Sequence, residues 1–348
     1  MADTAASPLS FWSAWIAPLA IGVLPVLCFL VALVLQDSFK LVRRTHVAAT
    51  IAAGAVIAGA AYLLNGLLLA RLDMPLAAFS RYVSPLTEEL LKGLVVVALI
   101  RSHRIGFLVD AAIFGFAVGA GFATVENVHF IYLAPEASTV TWIVRGFGTA
   151  VMHGGATALF GAIALSVLER APRADLRAML PGLAMAALLH SAFNHLSVEP
   201  RWATLAVLVA VPLAMMVVFQ RGERSTREWL GMGFDSDVQM LELINAGQIA
   251  DSPIGRYLHT LRDRFEGPLL ADVLCYLRMY TELSLRAKGL LMMRENGFET
   301  ELDDDARASL AELRYLEGSI GKTGLRAVRP LLRMSPKDLW QLYMLKDA

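Results

Sequence analysis

The chain has 348 residues, of which 56% are apolar and only 18% charged, and its formal net charge is zero. A mean hydropathy of +0.55 is too high for an ordinary soluble domain and points to a polytopic membrane protein. The balanced charge argues neither for nor against nucleic acid, but the chain has no nucleic-acid motif, so none is expected as a partner and the lipid bilayer comes first.

Charge divides the chain near Arg221. Residues 1–220 hold 24 of the 62 charged side chains, and residues 221–348 hold the other 38. We therefore expect an all-α protein: a membrane helix bundle over 1–220 and a soluble helical C-terminal domain over 221–348. A span needs about 20 mostly apolar residues. Such runs occur near 13–36, 47–70, 84–100, 105–133, 142–168, 179–197 and 202–220, about seven transmembrane helices. The segment before the first run lacks a basic n-region, so that run is expected to remain as a helix and not to be cleaved. Cys28 and Cys275 lie in different parts of the chain, so neither a disulfide nor a cysteine-based zinc site is expected.

Ser84-Pro85 reads as the cap and first residue of the third helix, with 74–83 as a re-entrant or interfacial lead-in. Basic residues favour alternate loops: Lys40, Arg43 and Arg44; Arg101 and Arg104; Arg170, Arg173 and Arg177; Arg221, Arg224 and Arg227. The other loops hold Arg71 and Arg81, then Arg145, then Arg201. This pattern implies an outside N-terminus and a cytoplasmic C-terminal domain. In the tail, amphipathic patterns near 226–247, 253–265, 268–296, 305–319 and 335–345 predict helices, the last opened by Ser335-Pro336-Lys337-Asp338. The acidic stretch from Glu299 to Asp305 lacks EF-hand spacing and reads as a solvated loop.

Against this apolar background, polar residues stand out. A charge in hydrocarbon costs about 2.5–3.5 kcal/mol on insertion scales, so intramembrane charges are functional by default. Glu88, Glu89 and Lys92 open the third span; Glu126 and Asn127 lie in the fourth, His153 in the fifth, His190 and Asn194 in the sixth. At 1.5 Å per residue Glu88, Glu89, Glu126, His153 and His190 fall roughly 5–17 Å below the outer surface. Lys92 is i+3 from Glu89 and i+4 from Glu88, within reach of either. Successive helical residues point about 100° apart, so the two glutamates are expected to differ in role, one on a water and the other oriented by Lys92. His190 and Asn194 share a helix face, and Asn194 is suited to donating to an oxyanion or to fixing the imidazole or a water. His129 and His195 read as interfacial, and Asp110, near Arg104, as part of a local structural pair.

Glu88-Glu89-x-x-Lys92, Phe122-x-x-x-Glu126-Asn127, His153 and His190-x-x-x-Asn194, each on its own helix and in this order, resemble the PrsW family of intramembrane proteases. That family is related to the superfamily of CAAX prenyl endopeptidases and bacteriocin-processing proteins, and the resemblance covers roughly residues 75–200. It implies a protease in which Glu88, Glu89, Glu126, His153, His190 and Asn194 form the catalytic set, supported by Lys92, Asn127 and Phe122. It further implies a bacterial inner-membrane location and a single-pass membrane protein, such as an anti-sigma-factor-like regulator, as substrate.

Two mechanisms stay open. Glutamate can activate water directly, or a divalent metal such as zinc, held by Glu126, His153 and His190, can supply it. Two non-proteolytic readings compete: a receptor or scaffold acting through an unknown cytoplasmic partner of the C-terminal domain, and a proton-coupled transporter. No inverted repeat supports the transporter. For the individual residues the plain alternatives are a buried ion pair at Glu88, Glu89 and Lys92 and a helix–helix hydrogen bond at His190.

Overall fold

The computed structural model describes residues 8–170, 176–195, 199–262, 265, 267–298, 304–332 and 335–347. The acidic stretch between Glu299 and Asp305 falls largely outside them. Among the described residues there are helices and no strand. The chain forms two compact units: Met1–Asp37, Leu41–Ser102 and Phe107–Gly222 make the first, and Ser38–Lys40, His103–Gly106 and Glu223–Ala348 the second.

The first unit holds α1 (Pro8–Leu35), α2 (Arg44–Leu72), the short α3 (Leu76–Tyr82), α4 (Ser84–Arg101) and α5 (Leu108–Leu133). There follow α6 (Thr139–Ile143), a π-helical turn (Val144–Thr149), α7 (Ala150–Arg170), α8 (Leu180–Asn194) and the start of α9 (Pro200–Asn245). Helix α5 is the centre: every residue from Val109 to Ala123 is buried, as expected of a helix apolar on all sides. α1 and α2 instead expose Leu24, Val31, Val56, Leu63 and Leu67. Helices can present such surface to lipid because their backbone groups are satisfied internally.

Among the described residues five helices are long and apolar enough to cross a membrane: α1, α2, α5, the run 139–170, and α9. The expected count of about seven depends on α4, which carries Glu88, Glu89, Lys92 and Arg101, and on α8, which has only 15 residues.

Glycines bring the backbones together. A Cβ on Gly54 would stand 2.1 Å from Val118 O, and one on Gly121 only 2.0 Å from Ile51 O, so α2 and α5 touch backbone to backbone. Across the other face of α5, a Cβ on Gly119 would lie 2.3 Å from His153 O. Gly54→Ala must therefore push α2 off α5, and we expect it to lower stability by about 1–3 kcal/mol. Gly59→Ala, where nothing lies within 4 Å, should leave the thermal midpoint of the detergent-solubilised protein in place.

Three local expectations change. Ser84 does not cap α4: Val83 before it has helical dihedrals (φ −93°, ψ −51°), and the Ser84 hydroxyl donates to Glu88. The runs 202–220 and 226–247 are one helix, α9, because Arg221–Ser225 contains no proline and helical hydrogen bonding continues through Gly222. The fifth span contains a π-helical turn that the apolar pattern does not reveal. Asp110 is buried and accepts from the Phe107 N–H at 2.9 Å, closing the first turn of α5.

The second unit contains the rest of α9 with α10 (Pro253–Leu261), α11 (Gly267–Glu295), α12 (Asp304–Val328, kinked at Gly321) and α13 (Pro336–Asp347). The start expected for α13 forms: Asp338 accepts from the Ser335 N–H at 3.0 Å, and Ser335 Oγ accepts from the Asp338 N–H at 3.3 Å. The second unit includes a part-buried ion pair between Lys288, itself buried, and Asp237, shared with Ser284.

Candidate active site

Four helices of the first unit bring the polar residues together. Glu88 and Glu89 come from α4, Glu126 from α5, His153 from α7 and His190 from α8. Glu89, Lys92, His153 and His190 are at most 3% exposed, so their polar atoms must find partners within the bundle.

The two glutamates divide their roles. Glu89 takes the Lys92 ammonium, one helical turn on, as its ion pair. The same carboxylate accepts from His190 Nδ1 at 2.9 Å, with Thr157 Oγ1 3.5 Å away. Glu88 is instead held through one oxygen, Oε1, by the Ser84 hydroxyl and by Asn65 Nδ2 at 3.1 Å. Thr87 Oγ1 donates to Asn65 Oδ1 at 2.5 Å and so fixes that amide. The other oxygen of Glu88, Oε2, faces His190 Nε2 across 3.9 Å.

Hydrogen-bond logic assigns the tautomers. A carboxylate only accepts, so His190 Nδ1 carries its proton toward Glu89 and Nε2 presents a lone pair toward Glu88. An ammonium only donates, so His153 Nδ1, 2.9 Å from Lys92 Nζ, accepts. His153 Nε2 then donates to Glu126 Oε2, also at 2.9 Å. Lys92 Nζ further lies 4.5 Å from the centre of the Phe122 ring, a cation–π contact that helps to hold the buried charge.

Glu126 is the outermost member, with its side chain 38% exposed, and its other oxygen is 3.2 Å from Arg145 Nη2. Arg145 Nε donates to Asn127 Oδ1 at 2.8 Å, and Asn127 Nδ2 donates to Gly22 O at 2.7 Å, tying α1 to the site. Asn194 is not on the imidazole: its amide donates to Ser80 O at 2.9 Å and anchors α3 to α8. His129 stays apart from the site, its ring edge-on to Tyr62, and His195 bonds its own helix at Ser191 O.

Asn65, Thr157 and Arg145 were missed. Asn65 is the one strongly polar side chain in the apolar run 47–70, and that isolation was its signal. Thr157 is i+4 from His153 and donates to its carbonyl at 3.0 Å. Arg145 reads in the sequence only as a loop charge. Because Asn65 positions Glu88 without reacting, Asn65→Leu should slow turnover by about 10- to 100-fold, the range for second-layer partners, while KM stays near that of the parent.

Long apolar helices closing round a buried carboxylate–imidazole cluster define a polytopic membrane protein with a hydrolytic type of centre. The chain belongs to the PrsW family of intramembrane metalloproteases, whose family model matches residues 42–220, just over half of it. No curated protein and no solved structure matched in the corresponding comparisons. The protein is thus an integral, multi-pass membrane protein of an intramembrane protease family.

The family description implies a metal, and the residues can be tested for it. Glu88, His153 and His190 offer ligand atoms all within 4.8 Å of one another, and two imidazoles with one carboxylate is a known catalytic zinc donor set. Glu88 is the carboxylate within that spacing of the two histidines, while Glu126, expected from the sequence, lies against His153 Nε2 and Arg145. His190 has the outer partner such a ligand needs, a carboxylate on its Nδ1–H. His153 has the reverse, a donor at Nδ1 and a proton on Nε2. The site thus fits a divalent metal through Glu88 and His190 as they stand; His153 would ligate through Nε2 only in its other tautomer, with the proton on Nδ1, which the Lys92 ammonium opposes.

Proposed function

We propose that the protein is an endopeptidase that cuts a membrane-anchored protein near the outer face of the bacterial inner membrane. One observation carries this reading: Glu88 Oε2 and His190 Nε2 face each other across 3.9 Å, each with its opposite atom anchored. A water seated between two such lone pairs is oriented to attack a carbonyl. Glu88 takes the proton of the attacking water as the oxygen–carbon bond forms. It then returns that proton to the departing amine as the carbon–nitrogen bond breaks. Glu89 and Lys92 do not react; they keep His190 and His153 in the tautomers described.

A second reading rests on the metal-ligand spacing of Glu88, His153 and His190. A divalent cation such as zinc, when bound there, supplies Lewis-acid polarisation. Chelation followed by zinc addition separates the two. Cleavage lost and then restored assigns a metal, whereas unchanged cleavage assigns water activation to Glu88 alone.

The basic-loop pattern supports an outside N-terminus and a cytoplasmic second unit, and a single-pass membrane protein as substrate suits a site set below the outer surface. The test is a comparison of membrane-protein fragments between cells making the wild type and cells making Glu88→Gln. Fragments unique to the wild type identify the substrate; identical fragment sets would favour the receptor or transporter readings.

A further inference from the structure

A helix brought to a protease inside a bilayer must unwind, and each freed backbone N–H and C=O then needs a partner because lipid supplies none. The first unit holds a cavity of about 690 Å³, within the range of ligand-binding clefts, whose wall includes Glu126, Arg145 and Asn194 beside Phe130, Val140 and Phe193. It begins where the catalytic cluster ends, since Glu126 belongs to both.

Arg145 has an unusual setting. It sits on the π-helical turn Val144–Thr149, a local geometry that recurs at functional sites. That turn lies close against α1, where a Cβ on Gly146 would come within 1.9 Å of Ile21 O. The guanidinium is fixed from three sides: by Asn127 at 2.8 Å, by Glu126 at 3.2 Å, and by the Phe130 ring at 4.1 Å from its centre. These contacts use fewer N–H donors than a guanidinium has. Arg145 is thus a pre-oriented donor at the wall of a cavity that opens beside the cluster.

We propose that this cavity is the cleft that receives the unwound backbone of the substrate, and that Arg145 is a specificity-determining residue that donates to a substrate carbonyl flanking the scissile bond. Asn127, which holds Arg145, is a positioning residue. The occupant is an extended segment of a membrane protein, with Phe130, Val140 and Phe193 taking its aliphatic side chains. This inference rests on the protease reading above.

The test uses the full-length protein in its native membrane. Val140→p-benzoylphenylalanine, combined with Glu88→Gln so that substrate is held and not cut, should photocrosslink the same protein whose fragments disappear in Glu88→Gln cells. Arg145→Gln should lower fragment yield about tenfold or more, the scale of a misplaced substrate, with Arg145→Lys recovering part of it. Val140→Trp fills the cleft without touching the Arg145 contacts, at a position 50% exposed, and should lower the yield likewise while the thermal midpoint holds. Fragments lost in Glu88→Gln but undiminished in both Arg145→Gln and Val140→Trp, with no crosslink from position 140, would overturn the inference alone. Fragments that persist in Glu88→Gln would remove the protease reading and this inference with it.

Discussion

Glu88→Gln should lower substrate cleavage by at least about 100-fold while the protein remains folded, the lower end of what a positioned general base contributes. The substitution keeps the shape, and an amide oxygen still accepts from Ser84 and from Asn65. What it removes is the lone pair 3.9 Å from His190 Nε2, replacing it with an N–H that points at the imidazole. His190→Ala should be equally inactive, because it removes the facing lone pair. Fragment yield read together with the thermal midpoint in detergent checks the claim. Wild-type cleavage by Glu88→Gln would rule Glu88 out as the base.

Lys92→Met should be the most destabilising single change in the first unit, by about 3–5 kcal/mol, because it leaves the Glu89 carboxylate buried without its countercharge. Lys92 is fully buried and Glu89 is 1% exposed, so no water reaches the orphaned charge. Adding Glu89→Gln removes that charge, and the double variant should recover a large part of the loss. Such non-additivity is the mark of a direct pair. Both variants should stay inactive: Lys92→Met removes the donor that holds His153 Nδ1, and the double variant also takes from His190 the carboxylate that fixes its tautomer. A double variant no more stable than Lys92→Met would show that the pair does not hold the bundle together.

The sequence by itself marked most of the helical runs and the ionisable residues that the fold gathers into one cluster. Apolar runs of span length, interrupted by charges that are costly in hydrocarbon, mark Glu88, Glu89, Lys92, Glu126, His153 and His190 without reference to any fold. Short-range geometry was legible too, because helical spacing sets it. Lys92 lies one turn from Glu89 and pairs with it, and Ser335 and Asp338 close the start of α13.

Only the tertiary structure decided which partner each group takes. Helical spacing put Lys92 within reach of both glutamates; the packing of α4 against α7 and α8 turned Glu89 toward His190 and His153 and left Glu88 to Asn65. Asn65, Arg145 and Thr157 entered the site across separations of 23, 19 and 68 residues from Glu88, Glu126 and Glu89. Asn194 turned to Ser80 and not to the imidazole four residues before it. The physical reason is rotation. A helix pattern fixes which residues share a face, but where that face points is set by close contacts such as Gly54 on Val118 and Gly119 on His153, made by residues with no chemistry of their own.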